Sequence, residues 1–294
     1  MAIPITHREL EQVLEKDPQR FVAEKERWVE AHRQRLVLTP KGLRANLSGL
    51  DLSNVEFRYT TFDSTDFSRA KLSGAVFNRC EFHRSKFWES DLTDATFVAC
   101  KFYPPDFAGA HLERTLFFKS LMDGLCLPKV HLEQADFTAC SAKGADLTSA
   151  TGNKVFWIKV NFKGAKLSGI KIVRLYCRLS GFEEADLSGA VLEEAVIEKS
   201  VLYRADFSSA RLRGAKLTGS WFDQTSFRGA DLTGADLRGC DITKAIFDDA
   251  VTEGVMFDEP EDPELRAQHE EIRQRLMGSK SQPVHGEAAP AEED

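Results

Sequence analysis

Seven cations lie between Asp146 and Glu183 with no acid among them: Lys154, Lys159, Lys163, Lys166, Lys171, Arg174 and Arg178. A run of this kind is what a protein uses to meet phosphates. Adjacent carboxylates follow at Glu183-Glu184 and Glu193-Glu194. The chain has seven histidines and six cysteines, the residue types that ligate metals or carry out proton transfer. No CxxC pair, GxGxxG, P-loop, GxSxG or HExxH is present, so these groups are not arranged in a known catalytic or redox motif. What the cations, acids and imidazoles can do therefore depends on the elements that hold them.

Those elements show in a strict period. From Leu47, every fifth residue to Phe257 is a centre of one series: Leu52, Phe57, Phe62, Phe67, Leu72, Phe77 and onward. Of the 43 centres, 39 are Leu, Phe, Ile, Met or Trp; only Ala142, Gly152, Cys177 and Thr252 break the rule. Two residues before each centre stands a small one, mostly Ala, with Ser, Thr, Cys and Val as substitutes. Period five fits neither a helix nor a strand. It fits a polygon in which each five-residue side turns one large and one small side chain inward. Four sides make a coil of twenty residues, and the columns at that spacing are purer than the row. Leu52, Leu72, Leu92, Leu112 and Leu132 form one column, and Phe57, Phe77, Phe97, Phe117 and Phe137 another. With Leu187, Leu192, Leu232 and Leu237 they are the expected core. Coils stacked at the ~4.8 Å strand spacing give a rod on the order of 50 Å.

Ala185-Asp186-Leu187-Ser188-Gly189, Ala230-Asp231-Leu232-Thr233-Gly234 and Ala235-Asp236-Leu237-Arg238-Gly239 resemble the A(D/N)LxG consensus of pentapeptide-repeat proteins, and the pattern spans Ala45 to Phe257. The resemblance implies an all-β solenoid, a right-handed quadrilateral β-helix, here with short N- and C-terminal α-helices at its ends. It also implies two roles. One is a protein-binding adaptor, as beside bacterial type VI secretion accessory proteins. The other is a DNA mimic that binds DNA gyrase and confers quinolone resistance.

The coil recasts the candidate chemistry. Residue n lies beside n + 20, so Lys163 faces Glu183, Lys166 Asp186, Arg174 Glu194 and Arg178 Glu198. Lys71–Asp91, Arg211–Asp231 and Lys216–Asp236 match in the same way. The run then reads as one member each of cross-coil pairs worth ~0–1 kcal/mol apiece, and binding of nucleic acid is not expected. Asp91, His111 and His131 share an outward column without a third ligand beyond them. Cys80, Cys100, Cys140 and Cys240 take small inward slots, and Cys177 a centre, as buried hydrophobes do. Gly152, Trp157 and Cys177 suggest one large centre compensated by two small ones. A square rod filled with Leu and Phe leaves no cleft for an enzyme, a cofactor or a metal.

The ends complete the layout. Residues 1–40 are an expected helical cap or docking segment: Thr6-His7-Arg8-Glu9 matches a capping box, and Asp17-Pro18 starts a second helix. The rod occupies 41–258, with residues 118–130 able to bulge. A helix at 259–277, carrying Leu265, Ile272 and Leu276, either caps the last coil or forms a homodimer, and 278–294 is an expected disordered acidic tail. Residues 41–257 hold 28 basic and 28 acidic side chains, so the net −7 arises from the C-terminal segment. A neutral rod lacks the field of duplex DNA, which carries one charge per ~1.7 Å. No apolar run reaches membrane-spanning length, and a cytoplasmic location is expected. The reading is a non-enzymatic scaffold for an unknown protein partner. Trp28, Lys163, Lys171, Arg174 and Arg178 are its expected contact residues.

Overall fold

A computed structural model describes residues 7–32, 35–104, 106–258 and Glu270. The chain winds as a parallel β-solenoid with four faces, named here by their centres Leu52, Phe57, Phe62 and Phe67. The Phe57 face carries a nine-stranded sheet: Val37–Leu38, Glu56–Arg58, Val76–Asn78, Thr96–Val98, Leu116–Phe118, Asp136–Thr138, Phe156–Ile158, Tyr176–Arg178 and Val196–Glu198, in that order. A four-stranded sheet lies on the Phe62 face and a two-stranded one on the Leu52 face. Elsewhere the same parallel pairing continues as single bridges, the last being Asp236↔Met256.

Each twenty-residue step is held by backbone bonds between coils, as in Lys71 N–H to Leu50 O at 2.8 Å and Leu72 N–H to Asp91 O at 2.7 Å. The sheet starts at Val37, where Leu38 pairs with Phe57 and Leu43 with Phe62. That first coil is one residue short, because the step from Leu43 to Leu47 is four residues instead of five. Residues 118–130 do not bulge: Leu121 pairs with Lys101 and Ser141, and Cys126 with Asp106 and Asp146. Met122, Leu125, Leu127 and Val130 fill their inward slots, so the missing consensus residues cost no register.

The corners explain the period. At nearly every fifth position from Gly49 to Gly254, φ lies between +50° and +74°, and most of these residues are not glycine. Pro104 and Lys244 are the described corners without it. Left-handed backbone costs a non-glycine residue ~1–2 kcal/mol, so the coil must overrule local preference at corner after corner. Most corners close with a bond from the small residue to the preceding centre, as in Ala70 N–H to Phe67 O at 3.0 Å, with the positive φ at the third residue that a type II turn requires. Corners after Phe57, Phe77, Phe97, Phe117, Trp157 and Ile197 do not close this way. There the centre's carbonyl accepts from a hydroxyl or thiol in the small slot one coil further on: Cys80 Sγ to Phe57 O at 3.4 Å, Cys100 to Phe77 O at 3.2 Å, Ser120 to Phe97 O at 3.3 Å, Ser180 to Trp157 O at 3.0 Å and Ser220 to Ile197 O at 3.0 Å. Ser and Cys in these slots therefore bond the carbonyl of the coil below, which Val160, in the slot above Phe137, does not.

Inside, Leu52, Phe57, Leu72, Phe77, Leu92, Phe97, Leu112, Phe117, Leu132, Phe137, Leu187, Leu192, Leu232 and Leu237 are all at most 2% exposed. Phenylalanines stack at the coil spacing, with centroids 4.8 Å apart for Phe77–Phe97 and Phe97–Phe117 and 4.5 Å for Phe87–Phe107. Trp157 is fully buried between Phe137 and Cys177, and its Nε1 has no acceptor. Gly152 is a centre because nothing larger fits: a Cβ there would lie 3.0 Å from Leu132 O and 3.0 Å from Val155 Cγ2.

Two helices cover the open first coil: α1, His7–Lys16, and α2, Pro18–His32. Asp17 caps α2, its Oδ1 accepting from Arg20 N–H. Leu10, Leu14, Phe21 and Trp28 join the core that contains Leu36 and Leu38. Lys25, 7% exposed, donates to Asp51 O at 2.8 Å and Asp51 Oδ1 at 3.2 Å, and Glu11 accepts from Thr39 N–H. The capping box at Thr6 and the C-terminal helix and tail at 259–294 lie outside the described residues, apart from Glu270.

Two outcomes follow. Gly152→Ala should lower stability by ~1–3 kcal/mol in urea unfolding, through overpacking against Leu132 and Val155; an unchanged midpoint would mean the coil yields there. Burial raises the Asp51 carboxyl, but hydrogen bonds from Ser53 and Lys25 outweigh it and hold the group below its ordinary 3.8. A depressed carboxyl contributes stability that is present above its unfolded value and lost as pH falls through its folded one. The Tm gap between wild type and Asp51→Asn should therefore be full above pH ~5 and close in stronger acid; a gap independent of pH would contradict this.

Candidate interaction surface

The residues expected to face a partner do not form one site. Trp28 is 6% exposed beneath α2, because the cap spends its apolar face on closing the first coil. Lys163 lies on the Phe62 face and Lys171 on the Leu52 face, while Arg174 is at a corner and Arg178 on the Phe57 face. A run continuous in sequence is thus distributed around the rod.

The seven expected ion pairs do not form either. Their backbones do sit side by side, as at Lys71↔Asp91, Lys166↔Asp186, Arg211↔Asp231, Lys216↔Asp236 and Arg178↔Glu198. Yet none of the seven closes to 4 Å: Lys163 meets Glu184, Arg211 meets Glu193, and Asp231 meets Arg213. The aspartates before the centres have another task. Asp91 Oδ1 accepts from Thr93 N–H at 3.0 Å, Asp186 Oδ1 from Ser188 N–H at 2.9 Å and Asp231 Oδ1 from Thr233 N–H at 3.0 Å. The Asp of the repeat is a turn former that satisfies the next corner's backbone. Cross-coil pairs arise instead from longer chains at corners and from residues outside that role, as in Arg69–Glu89 at 2.8 Å, Arg114–Asp94 at 2.6 Å and Lys101–Glu81 at 2.8 Å.

The other candidate chemistry is local. His111 faces Glu113 at 3.6 Å, and His131 Nδ1 faces Thr151 Oγ1 at 2.8 Å. Among the described residues no group of three His, Cys, Asp or Glu could hold a metal ion. All six cysteines are free, and burial pushes the Cys140 and Cys177 thiols up to about 12, which keeps them protonated. A groove of about 670 Å³ runs between α2 and the coil beside it, lined by Lys25, Val29, Arg35, Asp51 and Val55 among others. Its buried cation is already committed to Asp51. The Phe67 face carries an acidic column that the sequence reading did not bring out: Asp66, Asp106, Asp146, Asp186 and Asp206, interrupted by Lys86, Cys126 and Lys166. These five carboxylates also bond their own turns.

Although large exposed apolar residues such as Trp221, Leu121, Tyr103 and Trp88 stand on the Phe62 and Phe67 faces, apolar outward residues are most continuous on the outside of the nine-stranded sheet. Outward positions on the other faces are mostly Asp, Lys, Ser and Thr. Here one outward column reads Val76, Thr96, Leu116, Asp136, Phe156, Tyr176 and Val196, and the other Asn78, Val98, Phe118, Thr138, Ile158 and Arg178. Phe156 is 39% exposed and the rest of the apolar set half-buried. Asp136, bonded by Thr138, is the one acid from Val76 to Arg178, and Glu198 stands in the last coil beside Val196. In the sequence the strip is visible along the outward columns at period twenty. No helix among the described residues is long and apolar enough to cross a membrane.

A family model described as pentapeptide repeats matches residues 44–74, 62–97, 131–172, 182–219 and 210–249. No curated protein matches the chain. Among solved structures, HetL is a pentapeptide repeat protein involved in heterocyst differentiation regulation from the cyanobacterium Nostoc sp. strain PCC 7120. It is 25% identical over 80% of this chain and 96% of its own, with a TM-score of 0.35. QnrB1, a plasmid-mediated fluoroquinolone resistance protein, is 17% identical over 81% of this chain and 99% of its own, with a TM-score of 0.42.

The division of labour around the aspartates is measurable. Asp186→Ala should cost ~1 kcal/mol through the lost turn bond, whereas Lys166→Ala beside it should stay within ~0.5 kcal/mol. Equal losses in chemical unfolding, with non-additivity in the double variant, would restore the ion pair.

Proposed function

Because the chain belongs to the pentapeptide-repeat family, we propose that it works as a non-enzymatic scaffold that binds another protein along the side of a rigid rod. The observation that carries this reading is the apolar strip on the outer face of the nine-stranded sheet, at Leu116, Phe118, Phe156, Ile158 and Tyr176. Continuous exposed apolar patches mark interaction sites. The strip contributes nothing to the solenoid core, which is filled from the inward columns. The finer form of the reading is an adaptor of the kind found beside type VI secretion machinery. A helical cap closing one end and a long rod presenting its sides are compatible with that role.

The competing reading is mimicry of duplex DNA toward gyrase. The acidic column on the Phe67 face favours it. Against it stand the interleaved Lys86 and Lys166 and the commitment of those carboxylates to their own turns, which weaken any continuous negative field.

Capture of native partners should separate the two. Full-length protein is expected to recover its partner, and Phe118→Ser with Phe156→Ser should reduce recovery at least tenfold while leaving Tm within a few degrees. Undiminished recovery would remove the strip from the function. Gyrase supercoiling should be unaffected by added protein; inhibition below micromolar, abolished by Asp146→Lys with Asp186→Lys, would instead establish the mimic.

A further inference from the structure

The corners on either side of the apolar strip hold cations. One corner carries Lys119, Lys159 and Lys199 with no acid in its row, and the other carries Lys154 and Arg174 in a row that also holds Asp94 and Glu194. Among the described residues none of these five cations has an ion pair within 4 Å, although acids are as common as bases along the rod. Lys119 rests over the Phe118 ring at 5.1 Å. On the strip itself, the buried Nε of Arg178 has no acceptor. Four members of the basic run, Lys154, Lys159, Arg174 and Arg178, thus edge or enter the apolar surface.

The geometry points to an acidic amphipathic helix of a partner protein as the occupant, lying along the rod axis with its apolar stripe on the strip and its carboxylates against the Lys119, Lys159 and Lys199 row on one edge and the Lys154 and Arg174 pair on the other. This rests on the scaffold reading and names the partner's chemistry. Three constraints select it. First, the backbone N–H and C=O groups on this face are used by the coils above and below, so an added β-strand has nothing to pair with. Second, the flat part of a side is three residues, about 10 Å wide at ~3.3 Å each, which suits a helix of ~10–12 Å diameter between the corners. Third, a second copy of this chain packed antiparallel would bring its Lys119, Lys159 and Lys199 row against the same row, which opposes that face-to-face dimer. From Val76 to Val196 is six coil spacings, about 29 Å, or ~19 residues of helix at ~1.5 Å per residue.

The test uses the full chain and three synthetic 19-residue helical peptides. One carries a Leu stripe flanked by Glu, one the same stripe flanked by Lys, and one the Glu composition with the stripe scrambled. Fluorescence anisotropy should show saturable binding of the Glu peptide alone, weakening with added salt. Binding should fall at least tenfold for Lys159→Glu with Arg174→Glu, and for Phe156→Ser with Ile158→Ser, both on outward positions and both checked for unchanged Tm. Equal binding of the Glu and Lys peptides, or of wild type and either variant, overturns the proposal. So does concentration-dependent dimerisation of the free chain that the Phe156/Ile158 variant abolishes, which would assign the strip to a second copy. Radical labelling of Phe156 and Tyr176 in the free chain should equal that in a chain carrying Leu265→Asp with Ile272→Asp; protection relieved by that variant would give the strip to the chain's own C-terminal segment instead. If the peptides fail but strip variants still lose the native partner, the scaffold reading stands and only the helix is wrong.

Discussion

A left-handed residue at nearly every fifth position is the constraint from which this rod is built. Each such residue turns the chain from one face to the next, and the four residues between corners leave room for one large and one small side chain inside. The conformation is unfavourable for Arg69, Glu89 or Lys199 taken alone. It persists because every coil is locked to the next by backbone bonds and by a column of stacked apolar groups, so relaxing one corner would break register with two neighbours. Stability in such an array is approximately a sum over adjacent coils.

The second requirement is polar satisfaction in a core only one side chain thick. At several corners that lack a turn bond the centre's carbonyl accepts a side-chain hydrogen bond instead. Cys80, Cys100, Ser120, Ser180 and Ser220 supply one from the following coil. On the outside, Asp91, Asp186 and Asp231 do the equivalent for turn amides. Residues that look like interchangeable small or acidic members of a repeat therefore hold particular backbone groups. The unpaired Trp157 Nε1 is a local exception, where a bulky centre fills volume next to Gly152.

The solenoid, its twenty-residue register and its core columns were legible in the sequence because the inward slots tolerate few residue types. The corner classes were visible only as an unexplained choice between Ala and Ser or Cys. The ion pairs were misread for a physical reason: adjacency at n + 20 is a property of the backbone, whereas Asp186 turns its carboxylate toward Ser188 N–H and away from Lys166. Trp28 was misplaced because an amphipathic helix at a terminus reads alike whether its apolar face meets a partner or its own first coil. The strip of Leu116, Phe118, Phe156 and Ile158 was overlooked because apolar residues in an apolar-rich period attract notice only when the outward columns are read separately.

The short first coil shows that spacing can change at the end of the solenoid, where Leu43 and Leu47 are four residues apart. In the interior the arithmetic is stricter. Removing twenty residues shortens the rod by one storey and leaves everything above facing as before. Removing five would swing the whole distal part through a quarter turn relative to the helical cap, so that Phe156 and Phe118 no longer shared a side. Orientation along this molecule is therefore counted in residues, and a lineage can lengthen the rod freely only in multiples that bring each side back over itself.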